Sequence, residues 1–205
     1  MAAALWRPVP RVLSWHPLAQ MMAAGIGFVM VGSDGGAIQR LSVAGVGVAA
    51  ATAFLLDDPA SETLAASPTP LSARRAQRVA IVALVVASWW TVAVTVAATR
   101  AGGFPLRGRA LELGVLVTVA LAVSAAAATT GDRTGGGIAG AACSTACFAS
   151  TLLPPRWWLP FPPDPTAAGA ALRWVAVLVC AIALLAWISR DPARPHAGLD
   201  LWRRR

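Results

Sequence analysis

Residues 79–99 read VAIVALVVASWWTVAVTVAAT. The run holds no charged residue, and about 20 apolar residues in a helix cross a hydrocarbon core of roughly 30 Å. It is the clearest span in the chain and sets the class of fold. Composition agrees. Of 205 residues, 57% are hydrophobic and 13% charged, with mean hydropathy +0.65. An ordinary soluble domain has about 25% charged residues. So little polar surface cannot cover a water-soluble core. The expected fold is an all-α integral membrane protein, a single transmembrane domain over residues 1–205.

Working outward, apolar segments stand at about 17–31, 41–56, 110–129, 136–153 and 168–189, which with 79–99 makes six expected spans. Glycine and proline punctuate them: GSDGGA (32–37), RAGGFPLRGR (100–109), GDRTGGG (131–137) and PPRWWLPFPPDP (154–165). The last is too rich in proline for a regular helix. Its Trp157, Trp158 and Phe161 suit interfacial anchoring. At the N-terminal end, LWRPVPRVLSWHPLA (5–19) mixes Trp6, Trp15 and leucines with Arg7 and Arg11. That mixture predicts an interfacial helix at about 5–16, lying in the headgroup plane. No A-x-A site follows the apolar run 21–31 at the distance a cleaved signal needs, so that run reads as a span. No internal repeat is visible.

All 17 basic residues are arginine, as a GC-rich bacterial genome would encode them. The absence of lysine removes chemistry. A Walker A loop needs its lysine on the β/γ-phosphates, and Schiff-base catalysis needs one as well. No spaced cluster of His, Asp or Glu points to an active site, so the chain is not expected to be an enzyme. The net charge of +8 comes from arginines flanking apolar runs. That placement reads as membrane topology and contact with anionic lipid rather than nucleic-acid binding. With six spans and the N-terminus inside, eleven arginines are cytoplasmic (7, 11, 74, 75, 78, 133, 190, 194 and 203–205) and six outside (40, 100, 107, 109, 156 and 173). The count favours a plasma-membrane protein with both termini in the cytoplasm. Cys143 and Cys147 share a helix face, where they are poorly placed for a disulfide and too few for a metal site. They read as small packing residues.

The longest polar interruption is DDPASETLAASPTPLSARRAQR (57–78), with three acids, three prolines and three arginines. Asp58 before Pro59 suits an N-cap followed by proline at the first helical position. Glu62 falls near the positive end of the helix dipole. Ser67 before Pro68 ends the helix after about two turns. Thr69, before Pro70, or Ser72 then caps a second helix that carries Arg74, Arg75 and Arg78 into the 79–99 span. A plain connector between antiparallel helices needs only about 2–8 residues. This one is built like a docking element.

The order Glu62-Thr63-Leu64, then Ser67-Pro68-Thr69-Pro70-Leu71-Ser72, then Arg74 resembles the cytoplasmic loop of ABC-2-type transporter permeases. The interfacial helix, six spans and inside termini are similar to that family's layout, though Ser61 and Glu62 stand where the family has a glycine before Thr-Leu, and the chain is short for the family. The resemblance implies the transmembrane subunit of a bacterial ABC exporter. It would form the translocation pathway as a dimer, with a second copy or a related permease. The 57–78 loop would be a coupling loop docking on a separate ATP-binding subunit through Asp58, Glu62, Thr63, Leu64, Ser67, Pro68, Pro70 and Arg74. ATP and Mg would be bound by that partner, with no cofactor in this chain. The cargo would be a lipid, glycan, drug or antibiotic. The alternative is a non-ABC multi-pass accessory or scaffolding subunit.

Within the spans, Ser88, Thr91 and Thr95 share one helix face. With Trp89 they are candidates for lining a substrate path, although such hydroxyls commonly bond to their own backbone. Glu112 and Arg173 are ionisable groups inside expected spans, which usually find partners. They are expected to pair with each other, or Glu112 with Arg109 one turn away. Gly136 and Gly140 permit close helix approach.

Overall fold

The computed structural model describes residues 15–31, 33, 36–55, 71–101, 106–128, 135–150 and 170–189. Among them are six helices and no strand: α1 (Trp15–Met30), α2 (Ala37–Ala53), α3 (Leu71–Ala101), α4 (Leu106–Ala127), α5 (Gly135–Ser150) and α6 (Ala170–Ile188). Each expected span overlaps one of these helices. Segments of α3, α4 and α6 (Arg75–Ala101, Gly108–Ala127 and Ala171–Ile188) are long and apolar enough to cross a membrane. α2, flanked by described residues at both ends, has 17 residues and at 1.5 Å per residue reaches only about 26 Å. Residues 5–14 of the expected interfacial helix and residues 57–70 of the polar loop lie outside the described residues.

α2 is the hub of the bundle. It is buried along nearly its whole length, from Ala37 and Leu41 through Val48 to Ala53. Only the strip at Gln39 and Val43 stays exposed, and the helix's Ala, Gly and Val side chains let four neighbours come close. α1, α3, α4 and α5 all pack on it. Leu18 and Val29 of α1, with Val82, Val86 and Trp89 of α3, complete the main core on one side, and Leu113, Leu116 and Leu121 of α4 on the other. α6 covers α4 through Trp174, which packs on Val115. The outer faces of α3 and α6 stay uncovered, with Leu84, Val92, Leu172, Val179 and Trp187 exposed. That apolar periphery is compatible with a membrane protein.

Two glycines set the helix separations. A Cβ on Gly140 would stand 2.5 Å from the Cβ of Ala53 and 2.7 Å from the carbonyl oxygen of Ala120. At Gly25 it would meet the Trp89 ring at 3.0 Å and the Cβ of Ala44 at 3.2 Å. Ser124 adds a polar tie, its hydroxyl donating to the carbonyl of Ala53 at 2.8 Å. Arginines also tie the turns that flank the helices. Gly36 at the start of α2 offers no side-chain cap, and Arg40 folds back to donate to the carbonyl of Ser33 at 2.6 Å. Arg75 Nη1 donates to the carbonyl of Ile188 at 2.9 Å. It thereby caps the last turn of α6, where a cation suits the helix dipole.

The basic segment after Pro70 forms the first two turns of α3 without a break into the apolar span.

Gly140→Ala is expected to destabilise the bundle by about 1–3 kcal/mol through overpacking against backbone. Gly27→Ala, with nothing within 4 Å of the new methyl, is expected to be neutral or slightly stabilising. Thermal unfolding of both variants in the same detergent checks the contrast.

Candidate functional site

The best-defined polar cluster among the described residues lies one to two turns inside the starts of α2 and α4. Glu112, the one carboxylate among those residues, is buried at 8% exposure. Arg109 sits one turn earlier on the same helix and donates from Nη1 to Oε2 at 2.6 Å. A charged group in an apolar bundle is costly until paired. Positions i and i+3 of a helix supply the partner locally.

The pair faces a small cleft lined from α2 by Leu41, Ser42 and Gly45, from α3 by Trp90, and from α4 by Arg109, Glu112, Leu113 and Leu116. Its volume is about 10 Å³. Two buried polar atoms here have no hydrogen-bond partner, Oγ of Ser42 and Nε of Arg109. Ser42 has no marking context in the sequence, standing as one hydroxyl in a run of Val, Ala and Gly. Only the rotation of α2 against α4 brings it to the ion pair.

Glu112 takes Arg109 as its partner and not Arg173. Trp174 is the residue of that turn that faces α4, and its neighbour Arg173 is consequently turned outward and exposed. The expected Glu112–Arg173 pair therefore does not form.

The path-lining candidates do not converge on one cavity. Ser88, Thr91 and Thr95 are exposed on the outer face of α3. They donate to the carbonyls of Leu84, Ala87 and Thr91 at 2.8, 2.9 and 2.8 Å. Trp89 points the opposite way. It is 2% exposed, and its indole N–H donates to the carbonyl of Met22 at 2.9 Å. It also makes a tilted contact with Trp90, ring centroids 6.4 Å apart. Trp89 is thus a bolt between α1 and α3.

The docking candidates Asp58, Glu62, Thr63, Leu64, Ser67, Pro68 and Pro70 lie outside the described residues. Arg74 lies in the second turn of α3, and its side chain is outside them too. No group of three or more His, Cys, Asp or Glu that could hold a metal ion occurs among the described residues. Cys143 and Cys180 are free thiols.

No family model matches the chain, and neither a curated protein nor a solved structure does.

Glu112→Leu should strand the Arg109 guanidinium and cost about 2–4 kcal/mol, somewhat less than a fully buried pair because both side chains keep some exposure. Arg109→Leu combined with Glu112→Leu should recover most of that loss. A double-mutant cycle of unfolding in detergent reads the coupling. Purely additive losses would mean that the pair contributes nothing.

Trp89→Phe keeps most of the ring volume and removes the bond to Met22. A loss of about 1 kcal/mol is expected, read by the same unfolding assay.

Proposed function

We propose that the chain is the membrane subunit of an ATP-driven exporter of the ABC-2 type. It crosses the plasma membrane six times, with both termini in the cytoplasm. It works as a dimer, with itself or a related permease, and moves a lipid, glycan, drug or antibiotic along a path between the two copies. ATP and Mg belong to a separate ATP-binding subunit that docks on the 57–78 loop. On this reading the short helix α2 is accommodated by local thinning of the bilayer, at a cost of fractions of a kcal/mol per Å.

The observation that carries the reading is the continuity of α3. Its 31 residues extend about 46 Å, well beyond a hydrocarbon core of roughly 30 Å. The basic first turns therefore project past the membrane as a rigid lever, directly after the Glu62–Pro70 motif. Arg75 joins that lever to the end of α6. A push on the loop would thus move α3 and α6 together. The polar loop supplies the docking chemistry, and the helix supplies the mechanical link.

A second reading, an accessory or scaffolding subunit, is favoured by the close α2–α4–α5 packing.

Co-purification with a candidate ATP-binding subunit separates the two. Glu62→Arg and Leu64→Arg are each expected to weaken binding by about 2 kcal/mol or more, as loss of a contact at the centre of an interface does. Stimulated ATP hydrolysis should fall in parallel. Binding and stimulation left intact in both variants would refute docking through this loop. Absence of any complex with the wild-type chain would favour the scaffold.

A further inference from the structure

The hydroxyls on the helices mostly satisfy themselves. Ser88, Thr91, Thr118, Ser144 and Thr145 each donate to the carbonyl four residues back. Ser124 reaches across to α2. Ser42 does neither. Its Oγ is buried without a partner and lines the cleft that also holds Arg109 and Glu112, where Nε of Arg109 is likewise buried and unpartnered. Two residues with orphan polar atoms, from different helices, and a buried glutamate thus line one small cleft. A buried polar atom left without a hydrogen bond is costly, and more so in surroundings as apolar as Leu41, Leu113 and Leu116.

The size of the space selects the occupant. About 10 Å³ is at the lower limit for one water molecule, which needs roughly 10–15 Å³ on this measure and two to four polar partners. A phosphate, a sugar or an amino group on a chain is too large. A bare cation would face the Arg109 guanidinium, and a bare anion the Glu112 carboxylate. A water can donate to the carboxylate and to Ser42 Oγ while accepting from Nε–H of Arg109.

We propose that this cleft is a specific site for one ordered water, which bridges Ser42 of α2 to the Arg109–Glu112 pair of α4 beneath Trp90 of α3. The ion pair is then the fixed half of a polar link between the two central helices. Ser42 is the positioning residue that gives the link its second helix. The proposal is independent of the transport reading and stands or falls with the cleft alone.

Radiolytic footprinting of the full chain in detergent tests it, because an X-ray pulse turns a bound water into a hydroxyl radical that labels the side chains it touches. Leu113 and Leu116 are 6% and 3% exposed, and Val115 between them is 0% exposed and faces Trp174 instead. In the wild-type chain Leu113 and Leu116 should be labelled several-fold faster than Val115, and in Ser42→Val that excess should disappear. Equal, slow labelling of all three in the wild type would show a dry cleft and overturn the proposal. Excess labelling that persists in a folded Ser42→Val variant would overturn it too, since the water would not depend on Ser42. Should Ser42→Val fail to fold, the same comparison in Ser42→Ala, which removes only the hydroxyl, decides the role of Ser42.

Discussion

The bundle rests on a close approach at Ala53, where α2, α4 and α5 meet. Gly140 of α5 leaves no room for a methyl between itself, the Ala53 side chain and the Ala120 backbone. Ser124 of α4 bonds to the Ala53 carbonyl at the same place. In lipid, burial of apolar surface between helices offers little, because acyl chains are as apolar as leucine. Contact density and a few polar ties must hold the helices together instead. Small residues provide the first by letting backbones draw near, and Ser124 provides one of the second.

Once α2 is seated there, the rest of the arrangement follows. Its Ala- and Gly-rich surface receives α1 and α3 on the remaining faces, bolted by Trp89 to the Met22 carbonyl over Gly25. α4 takes α6 on its far side through Trp174. The consequence is a division of labour among helices that look alike in composition. α2 is a buried hub too short to cross a typical bilayer unaided, whereas α3 and α6 present most of their length to the outside. The charged residues sit at the edges of this plan. Arg40 ties the turn before α2 through the Ser33 carbonyl, Arg75 caps the end of α6, and Arg109 neutralises Glu112.

Much of the fold is legible in the sequence, because a long apolar run has few alternatives to a helix. The segment 79–99 lies wholly within α3, and 110–129 covers most of α4. Boundaries are less legible. α2 begins at Ala37 and not near Leu41, with Arg40 in its first turn bent back to the Ser33 carbonyl, so a charge there is no barrier to helix. Of the candidate site, the i,i+3 spacing makes the Arg109–Glu112 pair readable as one of two alternatives. Choosing it over Arg173 requires knowing that Trp174 occupies the face turned to α4. Likewise, the shared face of Ser88, Thr91 and Thr95 is readable, but its outward direction is not.

By itself the sequence determines that this chain is helical, strongly apolar, without lysine chemistry, and divided by one long, basic-ended polar stretch. Those properties are local, and follow from hydropathy, proline positions and side-chain inventory. Only the tertiary structure decides which helix is central, which glycine is indispensable, and that Ser42 meets Arg109 and Glu112. Each of these depends on the rotation and separation of helices that touch across dozens of residues, and one sequence carries no record of those angles.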